Sequence, residues 1–515
     1  MVDGRPGRNG RLSGIRFGDL LAGISVALVA IPQSLAYAEL AGMPAYTGLY
    51  AVALPSLAAA FFVSSPYLQT GPVALTSLLV FGTLSQLAVP GSSEYLGLAA
   101  LLALVVGSIR IFIGFFRFGA VAYLLSQPVL MGFTSAAAIL ILASQLPAVL
   151  GVAPGGGGVM ISALRALARP DLWNPSAVGL AIMTVAVVLL GRRFHPLFPG
   201  VLLAAGIGIG YQLLIGYDGV VVGDIPAGLP RLNLVLPWGD FPSLLIGGLI
   251  IALVGFADTA SISRTYATQD RAKWDANREF ISQGVSNVAA GMFSAFPVGG
   301  SFARSSVNRM AGAKTRWSGA VTGLVILAFL PFTGVLSALP KAILAAIVVS
   351  AVLNLIKLRE LVRLRQLSRP QAYIGWVTFV LTLILAPRID VAVIIGVGLA
   401  IAQHLRREQQ LVLEHRLEGT TLHFRPLGVL WFASAAKLEE AFTDLLVSHP
   451  EVQTVHFHLG GLGRIDLSAA MTLRRLMEDI ESAGLDFELL DVPPMAKSWV
   501  RRVWRDVLER NVGGV

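Results

Sequence analysis

The chain has 515 residues, 55% of them hydrophobic and only 13% charged, with a mean hydropathy of +0.72. A soluble domain carries about a quarter charged residues, so the composition excludes a wholly soluble protein and indicates one that crosses a membrane many times. The absence of Cys excludes disulfides, thiolate metal sites and a Cys nucleophile, and the formal charge of +9 does not indicate nucleic acid, because the basic residues stand at the ends of apolar runs, where lipid and orientation account for them.

Arg5, Arg8, Arg11 and Arg16 precede the first apolar run. That run has no A-x-A-like cleavage site and continues into Pro32-Gln33-Ser34, which predicts a retained span behind a cytoplasmic tail, 1–16, rather than a signal peptide. Fourteen membrane segments are expected, at about 20–38, 46–63, 72–88, 96–115, 128–149, 176–191, 198–215, 243–264, 278–295, 301–312, 317–333, 340–356, 371–386 and 391–405. With a cytoplasmic N-terminus every even-numbered segment must end inside, and basic residues follow accordingly. They are Arg117, Arg192 and Arg193, then Arg264, Arg271, Lys273 and Arg278, then Arg309, Lys314 and Arg316. Lys357, Arg359, Arg363, Arg365 and Arg369 follow the twelfth segment, and Arg406 and Arg407 the last. The outer loops carry Glu94, Asp218, Asp224 and Asp240, with Arg165 and Arg169 as exceptions. The even count puts both termini in the cytoplasm of a multi-pass protein of the cell inner (plasma) membrane.

Segments one to seven and eight to fourteen make two halves, about 17–216 and 241–407, of a membrane region 17–407. An odd number of crossings inverts one half relative to the other. The third member of each half starts on Gly and Pro punctuation: Gln69-Thr70-Gly71-Pro72-Val73-Ala74 in the first, Pro297-Val298-Gly299-Gly300-Ser301-Phe302-Ala303-Arg304 in the second. These interruptions lie about 52 and 58 residues into their halves, so spacing, rather than the slight identity between the halves, supports an inverted repeat. A helix that begins inside the membrane leaves its first N–H groups unpaired and presents about half a positive charge there. Two such starts facing each other make a site for an anion. Thr70, Gly71, Pro72, Val73, Ala74, Phe302 and Ala303 would line it, and Arg304 adds a full charge.

From about 411 to 512 the composition becomes that of a soluble α/β domain. Strands are expected at 420–432, 454–459 and 487–490, and helices at 435–447, 468–482 and 497–508. There is no GxxxxGK[ST] loop, so the domain is not an ATPase motor.

Several motifs carry a resemblance. Pro32-Gln33-Ser34-Leu35-Ala36-Tyr37-Ala38, Ala41-Gly42-Met43-Pro44, Gly48-Leu49-Tyr50 and Thr70-Gly71-Pro72-Val73-Ala74 resemble the sulfate permease (SulP) family, which includes the solute-carrier anion exchangers. So do Gln127-Pro128-Val129, Gly132-Phe133, Asn277-Arg278-Glu279, Gly284, Asn287, Gly300-Ser301-Phe302-Ala303-Arg304-Ser305 and Leu339-Pro340-Lys341-Ala342-Ile343-Leu344. They recur in order over nearly the whole membrane region. The C-terminal part resembles the STAS domain that follows it in this family. The resemblance implies a mainly α membrane protein of about 14 transmembrane segments in a 7+7 inverted repeat, with a core domain moving against a gate domain, followed by a cytoplasmic α/β STAS domain. It also implies a homodimer, and a substrate held between the third and tenth helix starts with side chains from the first and eighth segments.

Each candidate residue has a plain reading beside the functional one. Arg304 is costly at the bilayer centre, roughly 2.5–3.5 kcal/mol on insertion scales, so it either snorkels, pairs with an acid or serves the anion; the family's Arg at this position contributes to the anion site. Asp258 is an intramembrane carboxylate, either a proton-coupling group or the partner of Arg304. Relatives carry Glu or Asp there, and in a sodium-coupled bicarbonate branch that lacks the Arg it ligates Na⁺, so Arg304 argues against a Na⁺ site. Glu39 is a coupling acid or an ordinary interfacial one. Gln33 and Tyr37, four apart on one helix face, line the site or satisfy neighbouring backbone. In the STAS part, Leu467 occupies the position of the phosphorylated Ser of anti-sigma-factor antagonists, which leaves Asp466 and Ser468 as helix caps. His456 and His458 share a strand face, and no Cys or third His suggests a metal.

The expected function is secondary active transport of a small anion (sulfate, bicarbonate or a dicarboxylate such as fumarate) by alternating access, with proton symport first and anion exchange second. An uncoupled conductor and a membrane sensor signalling through the STAS domain are the other classes. Protons and membrane lipid are expected partners, no cofactor or metal is expected, and no hydrolytic motif points to an enzyme.

Overall fold

The computed structural model describes residues 15–505 except 124, 125, 227, 409, 410 and 495. Arg5, Arg8 and Arg11, and the end of the last expected helix, lie outside the described residues. The chain divides into two compact units, Met1–Val397 and Gly398–Val515.

In the first unit the apolar runs become helices, the conformation that satisfies every backbone group inside lipid. In order they are α1 (Phe17–Leu40), α2 (Thr47–Phe62), α3 (Ala74–Leu84), α4 (Ser93–Phe115), α5 (Gln127–Leu150), α6 (Val159–Ala168), α7 (Pro175–Phe194) and α8 (Gly200–Leu214). The second half gives α9 (Phe241–Gln269), α10 (Ala276–Met292), α11 (Phe302–Met310), α12 (Trp317–Phe329), α13 (Lys341–Val352), α14 (Leu358–Leu367), α15 (Arg369–Ile384) and α16 (Ile389–Glu408). Side-chain caps start several of them: Ser92 accepts from the Tyr95 amide, Asn174 from Ala177, and Asp275 from Asn277 and Arg278. Fourteen of these helices coincide with the expected segments. The other two, α6 and α14, are ten-residue amphipathic helices too short to span. They occupy equivalent places in the two halves, between the fifth and sixth and between the twelfth and thirteenth segments.

Packing repeats the inversion. α2 lies on α12 and α10 on α4; α5 lies on α15 and α13 on α7; α1 meets α11 as α9 meets α3. Exchanging the halves maps each pair onto the other. The result is a 7+7 inverted repeat, with α1–α4 and α9–α12 in one group and α5, α7, α8, α13 and α15 in a second. Small residues set the close approaches: a Cβ on Gly107 would stand 2.8 Å from the Gly284 carbonyl oxygen, and one on Gly284 2.9 Å from that of Gly107. No other residue type fits at that crossing.

The second unit carries a sheet. Two-residue strands β1 (Thr70–Gly71) and β2 (Gly299–Gly300) belong to the membrane unit, so its strands are β3 (Val412–Glu418), β4 (Thr421–Leu430), β5 (Thr454–His458), β6 (Leu462–Ile465) and β7 (Asp486–Leu490). Their order is β3-β4-β5-β7, with β6 on β4. β3 and β4 form an antiparallel hairpin that turns at Gly419, φ 63°, and the remaining pairs are parallel. The expected single strand 420–432 is thus one arm of a hairpin; in β3, Leu413 and Leu417 are partly buried on the core while the positions between and beside them are exposed and mostly polar. Helices α17 (Phe432–Ser448) and α18 (Leu467–Ser482) close an aromatic core of Phe424, Phe442, Phe457 and Phe487. Asp466 caps α18 by accepting from the Ala469 amide at 2.8 Å, as expected. The described part of the last helix is α19 (Lys497–Arg502). Pairing of β4 with β5 puts His423 beside His456.

Candidate anion site

β1 and β2 pair antiparallel, Thr70 opposite Gly300 and Gly71 opposite Gly299. The Ser301 amide extends the ladder by donating to the Gln69 carbonyl at 2.9 Å. This backbone clamp sets the starts of α3 and α11 against each other in the interior. In α3 the first amide to find a helical acceptor is that of Ser77, on Val73 at 2.9 Å, and Val73 supplies no side-chain cap. In α11 it is Ser305, on Ser301 at 2.9 Å, while the Arg304 amide reaches Ser301 Oγ at 3.4 Å. The N–H groups at Ala74 and at Phe302 and Ala303 therefore point out of their helix starts.

Arg304 is fully buried. Its Nη2 donates to the Pro72 carbonyl at 2.9 Å, and its Nε and Nη1 have no hydrogen-bond partner. Gly71 makes this seat possible: its φ is 152°, and a Cβ there would stand 3.0 Å from both Nη1 and Nη2. Gln33 and Tyr37 are buried on α1, Gln33 Nε2 donating to the Tyr37 hydroxyl at 3.0 Å while Gln33 Oε1 is unpartnered. Tyr37 lies within electrostatic range of Arg304. Phe302 is 61% exposed, so its side chain is not packed against the rest of the protein.

A second layer holds the clamp. Thr259 Oγ1 accepts from the Gly300 amide at 3.0 Å, Ser56 Oγ donates to the Thr70 carbonyl at 2.8 Å, and Gln283 Nε2 donates to Thr70 Oγ1 at 2.8 Å. Asn287 grips Val298 by both amide atoms. Arg110 is fully buried on α4 and donates to the carbonyls of Ala252, Val298 and Ile251. Thr259, Ser56, Gln283 and Arg110 were not singled out by the sequence, and Asn287 only as a motif position. The legible signal was on α10, where Gln283 and Asn287 lie four apart on a buried polar face.

The two carboxylates are placed elsewhere. Asp258, next to Thr259 on α9, lines a separate cavity of about 760 Å³ together with Gln127, Thr134, Arg264 and Lys357. No ion pair joins it to Arg304 among the described residues; the nearby cation is Lys357. An Asp258–Arg304 pair is thus not the role of either residue here, because one helical step turns the carboxylate away from the face that holds β2. Glu39 Oε1 pairs with Lys341 Nζ at 2.9 Å on the wall of a larger cavity, about 1120 Å³, formed by the loops after α1, α5 and α8. Neither acid touches Arg304.

Residues 17–378 match the sulfate permease family. A probable sulfate transporter 4.2 from Arabidopsis thaliana is 31% identical over 92% of this chain and 75% of its own length. The inward-facing structure of the murine solute carrier 26 family member A9 anion transporter superposes with a TM-score of 0.89 at 21% identity, covering 97% of this chain and 90% of that one. The transmembrane domain of a cyanobacterial bicarbonate transporter, BicA, gives 0.65 at 26% identity, covering 73% and 97%. With the paired helix starts and the buried guanidinium between them, these likenesses place the chain in the sulfate permease family of membrane anion transporters, which are not enzymes.

Proposed function

We propose that this protein is a secondary active transporter of a small oxyanion, with sulfate first, then bicarbonate or a dicarboxylate such as fumarate, coupled to protons. The observation that carries this reading is Arg304: a buried guanidinium, tied through Nη2 to Pro72, with Nε and Nη1 unpartnered beside two unpaired helix starts. An oxyanion with several oxygens accepts from several such donors at once. Neither Arg304 nor Arg110 has an acid partner among the described residues, which leaves a buried positive field for a solute to neutralise. The sulfate and bicarbonate transport named for the relatives favours the same substrates. Gln33, Tyr37, Thr70, Gly71, Pro72, Val73, Ala74, Phe302 and Ala303 line the anion in this reading.

Asp258 is the proposed coupling group, since it faces a cavity beside Lys357 and is free of Arg304. Glu39 takes part only in a state where its Lys341 pair opens. The helix groups defined by packing are the two bodies that slide past each other, and the protein works as a homodimer in the inner membrane with both termini in the cytoplasm. Flux of labelled sulfate, bicarbonate, fumarate and chloride into proteoliposomes, against imposed pH and Na⁺ gradients, tests this. Accumulation driven by the pH gradient supports proton symport. Counter-anion dependence without it moves the reading to exchange, and passive chloride flux alone to an uncoupled conductor.

A further inference from the structure

Both ends of α14 are tied to spans, α13 and α15, so this ten-residue helix is held at the edge of the bilayer. One of its sides is occupied: Leu361 is fully buried and, with Leu364, packs against α5 and α15. At 3.6 residues per turn, Arg359 and Arg363 come out opposite Leu361, while Leu358, Val362 and Arg365 share one flank. Leu358 is 36% and Val362 57% exposed. Arg369 opens α15, and Tyr373, one turn further on, is 63% exposed, as an aromatic at headgroup depth is. Lys357 reaches Glu360 at 3.9 Å and lines the Asp258 cavity. Arg359, Arg363, Arg365 and Arg369 are exposed, and none has an ion pair or side-chain hydrogen bond among the described residues. Arg359 and Arg363 are four apart, as are Arg365 and Arg369, a spacing at which like charges repel along a helix. The counterpart helix of the other half, α6, carries within it only Arg165, which donates to the Gly156 carbonyl at 2.6 Å.

We propose that α14 and the start of α15 form a binding surface for the headgroup of an anionic glycerophospholipid. Guanidinium forks match the oxygens of a phosphate diester, and Arg359, Arg363, Arg365 and Arg369 supply them with no acid of their own to satisfy. Leu358 and Val362 enter the acyl boundary beside the headgroup, which is how an amphipathic helix at an interface divides its faces. A cluster of basic residues on such a helix, next to a span, is the pattern that recognises anionic lipid. Charge alone would serve an acidic soluble partner equally well. The exposed apolar flank and the two anchoring spans favour the bilayer, because they set an apolar surface where acyl chains already are. In the orientation proposed above, the lipid belongs to the cytoplasmic leaflet. Its binding stands whatever solute the protein carries. A lipid held here fastens the second helix group, through α5 and α15, to one leaflet.

The test uses the full chain in detergent micelles containing a fluorescent phosphatidylglycerol, read by anisotropy, with unlabelled phosphatidylglycerol, phosphatidylcholine or inorganic phosphate as competitors. Saturable binding that only unlabelled phosphatidylglycerol displaces is expected. The combined substitution Arg359→Gln, Arg363→Gln and Arg365→Gln should weaken it about 100-fold, at roughly fivefold for each charge removed. Arg192→Gln with Arg193→Gln, at the end of α7, should leave it unchanged. Melting curves without added lipid that match the parent show that each variant is folded, and Arg363→Gln alone, with a loss of about fivefold, replaces the triple variant if that one is not. Displacement by phosphatidylcholine as readily as by phosphatidylglycerol, or by inorganic phosphate, overturns the proposal. So does an affinity that the α14 substitutions leave intact, or one that the α7 pair lowers as much.

Discussion

Arg304 is anchored through Nη2, and its other two nitrogens, Nε and Nη1, are unpartnered in the interior. Hydrogen bonds to charged groups are worth about 1.5–3 kcal/mol each, so Arg304→Ala should weaken anion affinity at least tenfold in proteoliposome flux while the protein still purifies as a folded species. Undiminished flux would reject the assignment. Asp258 faces its own cavity, and Asp258→Asn should remove the pH-gradient dependence of uptake more than it changes anion binding; the same proton dependence in both forms counts against a coupling role. Arg304 stood out because a cation at the start of an interrupted apolar segment is costly in lipid unless it finds a partner or a role. Thr259 and Gln283 were not, because a hydroxyl or an amide on a helix reads as neutral and their partners Gly300 and Thr70 are 41 and 213 residues away in sequence.

At the level of elements, the fourteen spans were readable from apolar runs and punctuation. α6 and α14 were hidden, since ten residues with charges among them look like loop. β1 and β2 were hidden for another reason: two residues have no period, and only the fold brings Thr70 opposite Gly300. Arg110 ties α4 to α9 and to the segment before β2. Arg110→Met should leave those carbonyls without their donor and lower stability by about 2–3 kcal/mol, read as a lower unfolding midpoint in a fluorescence thermal scan. An unchanged midpoint would show that the helical bonds of Ile251 and Ala252 and the Asn287 bond to Val298 suffice.

For the molecule as a whole, the reciprocal packing of the halves explains why spacing revealed the repeat when identity did not. Packing constrains helix order and length, and lipid-facing positions are otherwise free to drift. Glu39 on α1 and Lys341 on α13 join the two helix groups across one cavity. A half-exposed pair of this kind is worth up to about 1 kcal/mol, so Glu39→Gln should speed labelling of a Gln145→Cys reporter in that cavity up to about fivefold. The chain has no native Cys to confuse the readout, and an unaltered rate would mean that the pair does not bear on opening.

The two-residue ladder between Thr70-Gly71 and Gly299-Gly300 pairs main-chain atoms of both halves, so the two opposed helix starts are tied directly to each other. In the proposed transport reading, a shift of preference from one oxyanion to another would come from rim positions such as Gln33 or Phe302, and the two half-sites, joined by this ladder, would travel as one piece.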